Sequence, residues 1–390
     1  MKIGTTSRDY SCQRNILWIT DNDYGRINHL NINAYFRHLF FNLKKIFRID
    51  LNKFFLTEGY RSFFFDSISY DIAHFFNEFS LSKRPWVSTF ESKLPFLNDM
   101  QDLDNPRKRK FINKALNACA SDSCKAIIAM SECARKLELN LLAHFPDVAP
   151  LIKRKMVCIF PPQKLYVHNL EEKKVDFNGK IRFLFVGREF YRKGGYDILR
   201  CFERLSQKFD FELIIVSLLK NINHQIFPKK IELETVKLIN KYNGSWLTHF
   251  PELENEVLIR MMKECHVGLL PTYSDTFGYS VLEFQACGCP VITTDIRALP
   301  EINNQETGWL IDTGDKDYQW ELPNPQKIFN NQIIENAIEK IAIQIIDNPS
   351  IIKAKAKKSI ERIKKYHSPI DYREKIENIY HSALHTNQMT

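Results

Sequence analysis

Short apolar strands alternate with helical segments along this chain, and this alternation limits the folds open to it. The clearest case is the strand 181–186, which ends at Gly187 and leads through a loop into a helix over about 196–209 and a strand at 211–216. Apolar runs rich in β-branched and aromatic residues and separated by a helix are typical of parallel strands joined by a crossover. The segment therefore predicts the strand–helix–strand unit of doubly wound, nucleotide-binding sheets.

A second unit of this kind follows, with strands at 266–271 and 290–294 around a helix over about 278–287. The chain then closes with helical segments rich in Ile and Lys, predicted at roughly 331–347, 350–366 and 369–387. The first half repeats the alternation: strands are predicted at 15–20, 71–76, 85–90 and 126–131, with a polar loop at 21–28 and a helix over about 34–47. Both halves are thus predicted to be α/β.

The length indicates two domains. A single hydrophobic core seldom extends beyond about 250–300 residues, and this chain has 390. Pro161–Pro162 and the charge run 171–174 mark a linker between the halves. The boundary is therefore placed between residues 165 and 166. Hydrophobic residues form 44% and charged residues 26% of the chain, which fits a folded globular protein.

Several classes of site and segment are not expected. No apolar run is long enough to span a bilayer, and the start of the chain has no signal-peptide core, so a soluble cytoplasmic protein is expected. The nine cysteines have irregular spacing and no zinc pattern, so they are interpreted as reduced core residues. No G-x-G-x-x-G follows a strand, which argues against a dinucleotide oxidoreductase.

The net charge of +9 is unevenly divided. Residues 1–165 hold 25 Lys and Arg against 16 Asp and Glu, so they carry the whole excess, and the last 40 residues add nine basic against four acidic side chains. A basic surface attracts nucleic acid, anionic membrane or a phosphorylated acceptor, or is simply solvated. No zinc-finger, homeodomain-like or RNP motif supports nucleic acid as the partner.

The strongest motif runs from Pro271 to Glu283, where a strand end leads through glycine into a helix. The backbone N–H groups of Gly278, Tyr279 and Ser280 would point out of the helix N-terminus, where the helix dipole favours a diphosphate. Carboxylates accept paired hydrogen bonds from vicinal hydroxyls, so Asp275 and Glu283 are each predicted to hold a sugar ring.

The partner motif, Gly187-Arg188-x4-Lys193-Gly194, also follows a strand. Open α/β sheets bind ligands at the carboxyl ends of their strands. Arg188 and Lys193 are therefore predicted to clamp a diphosphate and to neutralise its charge as it departs, work that a metal ion does elsewhere. No cofactor and no metal are expected.

These two motifs resemble those of glycosyltransferase family 4, which carries G-R-x4-K-G and a Glu-x7-Glu pattern inside P-S-x-x-E-x-F-G-x4-E. The resemblance implies a GT-B fold, with two Rossmann-like doubly wound domains (1–165 and 166–368) facing a cleft and a last helix (369–390) that packs back on the first. It also implies a retaining enzyme that transfers a sugar from a nucleotide-diphosphate sugar to an acceptor hydroxyl without a metal. Residues that fill or extend the motifs are Gly187, Arg188, Lys193, Gly194, Pro271, Asp275, Phe277, Gly278, Glu283, Ala286, Gly288, 290–292, 300–301 and Gly308.

The resemblance assigns Arg188 and Lys193 to the diphosphate, Glu283 to the ribose and Asp275 to the transferred sugar. Gly187 and Phe277 are predicted as further donor-binding residues. Asp275 stands where the family usually has Glu, which leaves the donor sugar open. In the first half, His74 is predicted as an acceptor-side residue or a structural one. Glu91, where the family commonly has His, is predicted to bind the acceptor, to stabilise positive charge developing at the anomeric carbon, or to be an ordinary strand-end carboxylate.

Together these features predict a glycosyltransferase of cell-surface polysaccharide or glycolipid synthesis. Its expected acceptor is an anionic or lipid-linked saccharide, reached by peripheral contact with the inner face of the cytoplasmic membrane. Phe54–Phe55 and 63–65 are predicted to supply apolar contacts there. The alternative is a non-catalytic sugar-nucleotide-binding or assembly protein of the same fold.

Overall fold

A computed structural model describes residues 1–5, 10–17, 23–26, 70–97, 100–173, 175–177, 179–221, 226–314 and 325–385. The chain divides into two compact units. Unit 1 comprises Met1–Pro162 together with Pro369–Thr390, and unit 2 comprises Gln163–Ser368. The sequence-based boundaries fall at 165 and 368, and the last segment returns to unit 1.

Unit 1 contains a six-stranded parallel sheet with the strand order β2-β1-β3-β4-β5-β6. Its core strands are apolar on both faces, as expected for a parallel sheet covered on both sides; β3 and β4, for example, are buried throughout. The strands are β1 (Lys2–Thr5), β2 (Asp23–Arg26), β3 (Ile72–Phe76), β4 (Trp86–Phe90), β5 (Cys124–Ala129) and β6 (Met156–Cys158).

Among its described residues, unit 1 has the helices α1 (Tyr10–Cys12), α2 (Pro106–Ala120), α3 (Glu132–Leu142), α4 (Ala149–Lys155) and, from the end of the chain, α13 (Pro369–His385). The side chain of Asn105 caps α2 by accepting from two first-turn N–H groups, and that of Ser131 caps α3 by accepting from the N–H of Ala134. The apolar side of α13, with Tyr372, Ile376 and Tyr380, packs on β-strand residues such as Ile3 and Ile72. The last helix is therefore part of the core of unit 1.

Unit 2 contains a second six-stranded parallel sheet, with the order β12-β11-β10-β7-β8-β9. Its strands are β7 (Ile181–Val186), β8 (Phe211–Val216), β9 (Leu247–Phe250), β10 (Val267–Leu270), β11 (Val291–Thr294) and β12 (Trp309–Ile311). Its helices are α5 (Gly195–Leu205), α6 (Lys229–Tyr242), α7 (Asn255–Glu264), α8 (Tyr279–Ala286), α9 (Leu299–Ile302), α10 (Pro325–Asn330), α11 (Ile333–Asp347) and α12 (Ser350–Tyr366).

The order of this second sheet places a topological switch point between β7 and β10. The chain leaves β7 toward β8 on one side and later continues from β10 toward β11 on the other. In open α/β sheets the loops at such a point diverge and leave a crevice at the carboxyl ends of the strands, where ligands bind. The motif at 187–194 follows β7, and the motif at 271–283 follows β10.

One predicted strand in the first half is wrong. Residues 13–17 form a π-helical turn in which Arg14, Asn15 and Ile16 are buried, so the run 15–20 does not begin as a strand. A short apolar run fits a buried helical turn as well as a strand, because neither has a visible period. The rest of that run, the helix over 34–47 and the phenylalanines at 54–55 and 63–65 lie outside the described residues.

The basic residues near the end of the chain are divided between the two units. Most of them lie on α12, which belongs to unit 2, whereas α13 in unit 1 has more acidic than basic side chains. The positive excess nevertheless stays on unit 1, which holds 26 Lys and Arg against 19 Asp and Glu. Unit 2 holds 29 against 27 and is close to neutral.

Candidate active site

The loop after β7 is pressed against the end of β10. Gly194, the N-cap of α5, has a φ of +82°, a left-handed conformation that glycine adopts without strain. A Cβ atom on Gly194 would lie 2.1 Å from the carbonyl oxygen of Pro271. Glycine is therefore required here for two reasons, backbone conformation and close approach.

This close approach brings Lys193 to Asp275. The Nζ of Lys193 forms an ion pair and hydrogen bond with Oδ2 of Asp275, which joins the two motifs directly. The two side chains are 14% and 13% exposed. Charged groups so shielded from water interact more strongly than surface pairs. Two residues 82 positions apart in the sequence thus form one mostly buried charged group.

Arg192 fastens the same two loops together. Its guanidinium donates to a carboxylate oxygen of Glu189 and to the carbonyl oxygen of Ser274. Its own carbonyl accepts from the N–H of Tyr273 at 2.9 Å and from the hydroxyl of Thr272 at 3.1 Å. Arg192 therefore contacts the residues next to Asp275 while standing next to Lys193 in the chain. The sequence analysis did not single out this residue, since the motif leaves its position open.

Tyr273 and Asp197 form a buried pair behind this junction. The Tyr273 hydroxyl donates to Oδ1 of Asp197 at 2.8 Å, and both residues are at most 2% exposed. Burial raises the pKa of Asp197 to about 7, partly offset by the hydrogen bond from Tyr273. The pair ties the start of α5 to the loop after β10. The sequence analysis missed it, because Tyr273 stands at an open position of its motif and Asp197 lies outside both motifs.

The helix α8 begins beside this junction. Its N-cap Gly278 has a φ of +93°, and a Cβ there would lie 2.6 Å from Cδ2 of Leu299. The N–H groups of a first helical turn have no acceptor within the helix. In α8 these groups directly follow the loop that carries Asp275. Tyr279 and Ser280 are half-buried, and Glu283 in the second turn is 9% exposed. The start of α8 has the geometry of an anion site.

The remaining predicted donor residues differ in environment. Arg188 is exposed, and it has no ion-pair partner in the part of the chain that the structure describes. Phe277 is 1% exposed, with its ring 5.3 Å from that of Tyr279, so it packs in the interior behind the loop. Phe277 therefore shapes the loop from behind, in contrast to the ligand contact predicted for it.

His74 and Glu91 belong to unit 1. His74 is fully buried, with Nδ1 2.6 Å from the Tyr380 hydroxyl and Nε2 2.8 Å from the Thr89 hydroxyl. Burial lowers the pKa of His74 to about 3, so the ring is neutral. With both nitrogens occupied, His74 fits the structural alternative and anchors α13 to β3.

Glu91 follows β4 at the carboxyl edge of the first sheet and is half-buried. Its Oε1 accepts from the side-chain amide of Asn77 at 3.1 Å, and its backbone N–H donates to the side-chain Oδ1 of Asn77 at 3.0 Å. Asn77 has a φ of +55°, a left-handed conformation that asparagine tolerates better than most residues. Glu91 is therefore held in place at a ligand-binding edge of the sheet.

The described residues contain no cluster of three or more His, Cys, Asp or Glu side chains arranged to hold a metal ion. None of their helices combines the length and apolar character needed to cross a bilayer.

The two parallel-sheet units have the fold of GT-B glycosyltransferases. Sucrose-phosphate synthase from Thermosynechococcus elongatus superposes with a TM-score of 0.60 at 15% identity and covers 99% of both chains. The structure of Anabaena Alr3699/HepE in complex with UDP superposes with a TM-score of 0.56 at 11% identity, over 98% of this chain and 99% of the other. At such identities the likeness establishes the fold alone.

Residues 168–323 match the family described as Glycosyl transferases group 1, and this match lies within unit 2. The resemblance seen in the two motifs is thereby confirmed. A D-inositol 3-phosphate glycosyltransferase of Arthrobacter sp. (strain FB24) is 30% identical over 144 residues, which are 36% of this chain and 33% of that protein. The capsular polysaccharide biosynthesis glycosyltransferase CapM of Staphylococcus aureus is 26% identical over 163 residues, 40% and 38% of the two chains. The chain thus spans little more than a third of these relatives.

Proposed function

We propose that this protein is a glycosyltransferase that moves a sugar from a nucleotide-diphosphate sugar to an acceptor hydroxyl. One observation carries the proposal: Lys193 and Asp275, from separate motifs, contact each other at the switch point of the sheet in unit 2. A diphosphate needs cations and helix N–H groups, and a sugar ring needs carboxylates, and this place supplies both. The matched family domain covers the same residues.

Each group has a role in donor binding. Lys193 and Arg188 bind the diphosphate, and the first-turn N–H groups of Gly278, Tyr279 and Ser280 bind its oxygens at the start of α8. Glu283 accepts from the ribose hydroxyls. Asp275, one methylene shorter than glutamate, accepts from hydroxyls of the transferred sugar while it holds Lys193 in position. Structures of the HepE protein with UDP and with UDP-glucose support a donor of this class.

The reaction proceeds with retention of anomeric configuration and without a metal ion. The acceptor oxygen attacks the anomeric carbon on the face that the leaving diphosphate occupies, and the bond from that carbon to the diphosphate oxygen breaks. The acceptor proton passes to a phosphate oxygen, so the products are the glycoside and the nucleoside diphosphate. Lys193 and Arg188 neutralise the charge that develops on the leaving group, which makes a side-chain nucleophile unnecessary.

The proposed acceptor is an anionic or lipid-linked saccharide bound by unit 1, which holds the charge excess. Glu91 lies at the carboxyl edge of the first sheet, where an acceptor would bind. Elsewhere on the unit, a cavity of about 340 Å³ is lined by the basic side chains of Lys125 and Arg154 and by Val157. The exposed apolar side chains of Leu151 and Val157 stand in the same part of the chain as Arg154. Basic and apolar groups so combined suit the inner face of a cytoplasmic membrane.

The deciding experiment mixes the protein with UDP-, GDP-, ADP- and CMP-sugars and measures the shift in melting temperature. A ligand at 100 times its dissociation constant adds about 2.7 kcal/mol of stability. The donor found in this way is then supplied with lipid-linked and soluble saccharide acceptors, and released nucleoside diphosphate is measured. Binding without release under every acceptor would favour the non-catalytic alternative. Absence of any shift would contradict the proposed donor site.

A further inference from the structure

A second arginine stands at the edge of this site, outside both motifs. Arg297 follows β11, whose neighbour in the sheet is β10, so it lies at the same carboxyl edge as Asp275. Two residues later, Leu299 places its Cδ2 atom against Gly278 at the start of α8, where a glycine Cβ would lie only 2.6 Å away. The loop that carries Arg297 therefore packs directly against the predicted anion site.

The backbone of Arg297 is strained. Its φ is +51°, in the left-handed region that side chains other than glycine, asparagine and aspartate rarely adopt. Strained conformations of this kind persist only where the surrounding structure enforces them, and they concentrate at functional sites. Hydrogen bonds on both sides of Arg297 hold its backbone in this conformation. Asp295 accepts from the N–H and the hydroxyl of Thr313, and the N–H of Leu299 donates to the carbonyl oxygen of Ile296.

The side chain of Arg297 is incompletely satisfied. Its Nε is buried and has no hydrogen-bond acceptor, and its guanidinium has no ion pair within the described ranges. A buried donor without an acceptor is costly, and more so when it carries charge. The neighbouring carboxylates of Asp275 and Asp295 are engaged by Lys193 and Thr313. An oxygen of an anionic ligand would complete the hydrogen bonding of Arg297.

We infer that Arg297 is a third cation of the donor site and binds the diphosphate of the sugar nucleotide, a role that rests on the proposed function. Its planar guanidinium suits two oxygens of a phosphate group, whereas Lys193 acts as a single charge. Arg297 reaches the diphosphate from the β11 side, and Lys193 reaches it from the β7 side. Sequence motifs do not reveal this residue, because its function depends on a left-handed backbone that only the structure shows.

The left-handed φ provides a clean test. Arg297→Gly removes the side chain and at the same time removes the backbone strain, so the variant is expected to fold with an unchanged or higher melting temperature without ligand. Its affinity for the nucleoside diphosphate should fall about tenfold to a hundredfold, the range for a charge-assisted hydrogen bond. Affinity for the nucleoside without phosphates should not change. Arg297→Lys should recover part of the loss.

Calorimetry with UDP, GDP, ADP and CDP and with the matching nucleosides measures these affinities. Arg260→Ala, at an exposed arginine on α7 of the same unit, is the control and should bind as wild type does. If wild type binds none of the diphosphates, the proposed function fails. If wild type binds one and Arg297→Gly binds it equally well, the proposed function stands and the role of Arg297 is refuted.

Discussion

The Nζ of Lys193 contacts the Oδ2 of Asp275 across the loops that follow β7 and β10. The pair is mostly shielded from solvent and joins the residue proposed to neutralise the leaving group to the residue proposed to hold the sugar. Each side chain therefore fixes the position of the other. A donor that bridges them would find both groups already oriented, which lowers the cost of binding in the reactive geometry.

Lys193→Ala should lower turnover on the order of 10²-fold, because a preorganised contact to developing charge contributes roughly that much. Lys208→Ala removes an exposed lysine of the same unit and should leave turnover unchanged. Steady-state rates of nucleoside diphosphate release measure both variants. Near wild-type turnover in Lys193→Ala would show that Lys193 does not act on the leaving group.

Arg192→Ala should lower the turnover number about tenfold and change the KM for the donor little. Arg192 contacts Ser274 and Glu189 and is not among the residues proposed to bind the donor. Its loss should therefore disturb the Lys193–Asp275 geometry and leave the donor contacts in place. Arg192→Lys, which keeps the charge and one donor group, should recover part of the rate. A change confined to the melting temperature would mean that Arg192 has only a structural role.

The sequence predicted the site better than it predicted unit 1. Glycine, charge and spacing at positions 187–194 and 271–283 are local, and they depend on loops that follow well-marked strands, which the structure has at β7 and β10. Helices α11, α12 and α13 also occur where their apolar period placed them. The short strands β1, β2 and β6 were missed, because three or four residues are too few to show a period.

The roles of single residues within the site were less predictable. Phe277 lies in a motif but is buried, whereas Arg192, at an open position of one motif, and Arg297, outside both, contact or border the site. Both outcomes depend on where one loop meets another. Contacts between loops that follow different strands cannot be inferred from local pattern.

Tyr380→Phe should lower the free energy of unfolding by about 1–3 kcal/mol, since it removes one partner of a buried hydrogen bond. The Tyr380 hydroxyl lies 2.6 Å from Nδ1 of His74, and its loss leaves that nitrogen buried without a partner. Urea denaturation measures the change. Tyr366→Phe, at a tyrosine that is 46% exposed, should have little effect. Equal stability of the two variants would deny that His74 anchors α13.

The free energy of unfolding should fall as the pH rises from 7 to 8, and Glu138→Gln should make this fall smaller. Burial raises the pKa of Glu138 to about 8 from its ordinary 4.5, although the N–H of Leu94 and the charge of Lys93 lower it. The folded state therefore keeps a proton that the unfolded state has lost, and stability declines as pH rises toward the folded pKa. Asp197, with a pKa of about 7, contributes mainly below this window.

Urea denaturation at pH 7.0, 7.5, 8.0 and 8.5 tests this expectation. His74 affects stability in the opposite direction. Its pKa is lowered from 6.5 to about 3, so between these values the unfolded state binds a proton that the folded state does not, and the free energy of unfolding rises with pH. Its contribution is therefore complete before the window opens. Glu171→Gln, at an exposed carboxylate, should keep the wild-type slope. A slope unchanged in Glu138→Gln would mean that Glu138 is already ionised at neutral pH.

Arg154→Glu should weaken binding to anionic vesicles by about tenfold or more at low salt, because each basic side chain near an anionic surface contributes on the order of 1 kcal/mol. Arg154 lines the cavity of unit 1 and stands beside exposed Leu151. Arg260→Glu makes the same charge change on unit 2 and should bind nearly as wild type does. Co-sedimentation with anionic and neutral vesicles at two ionic strengths measures all three proteins. Equal wild-type binding to both kinds of vesicle would exclude electrostatic membrane contact, and equal loss in both variants would mean that net charge, rather than this face of unit 1, governs the binding.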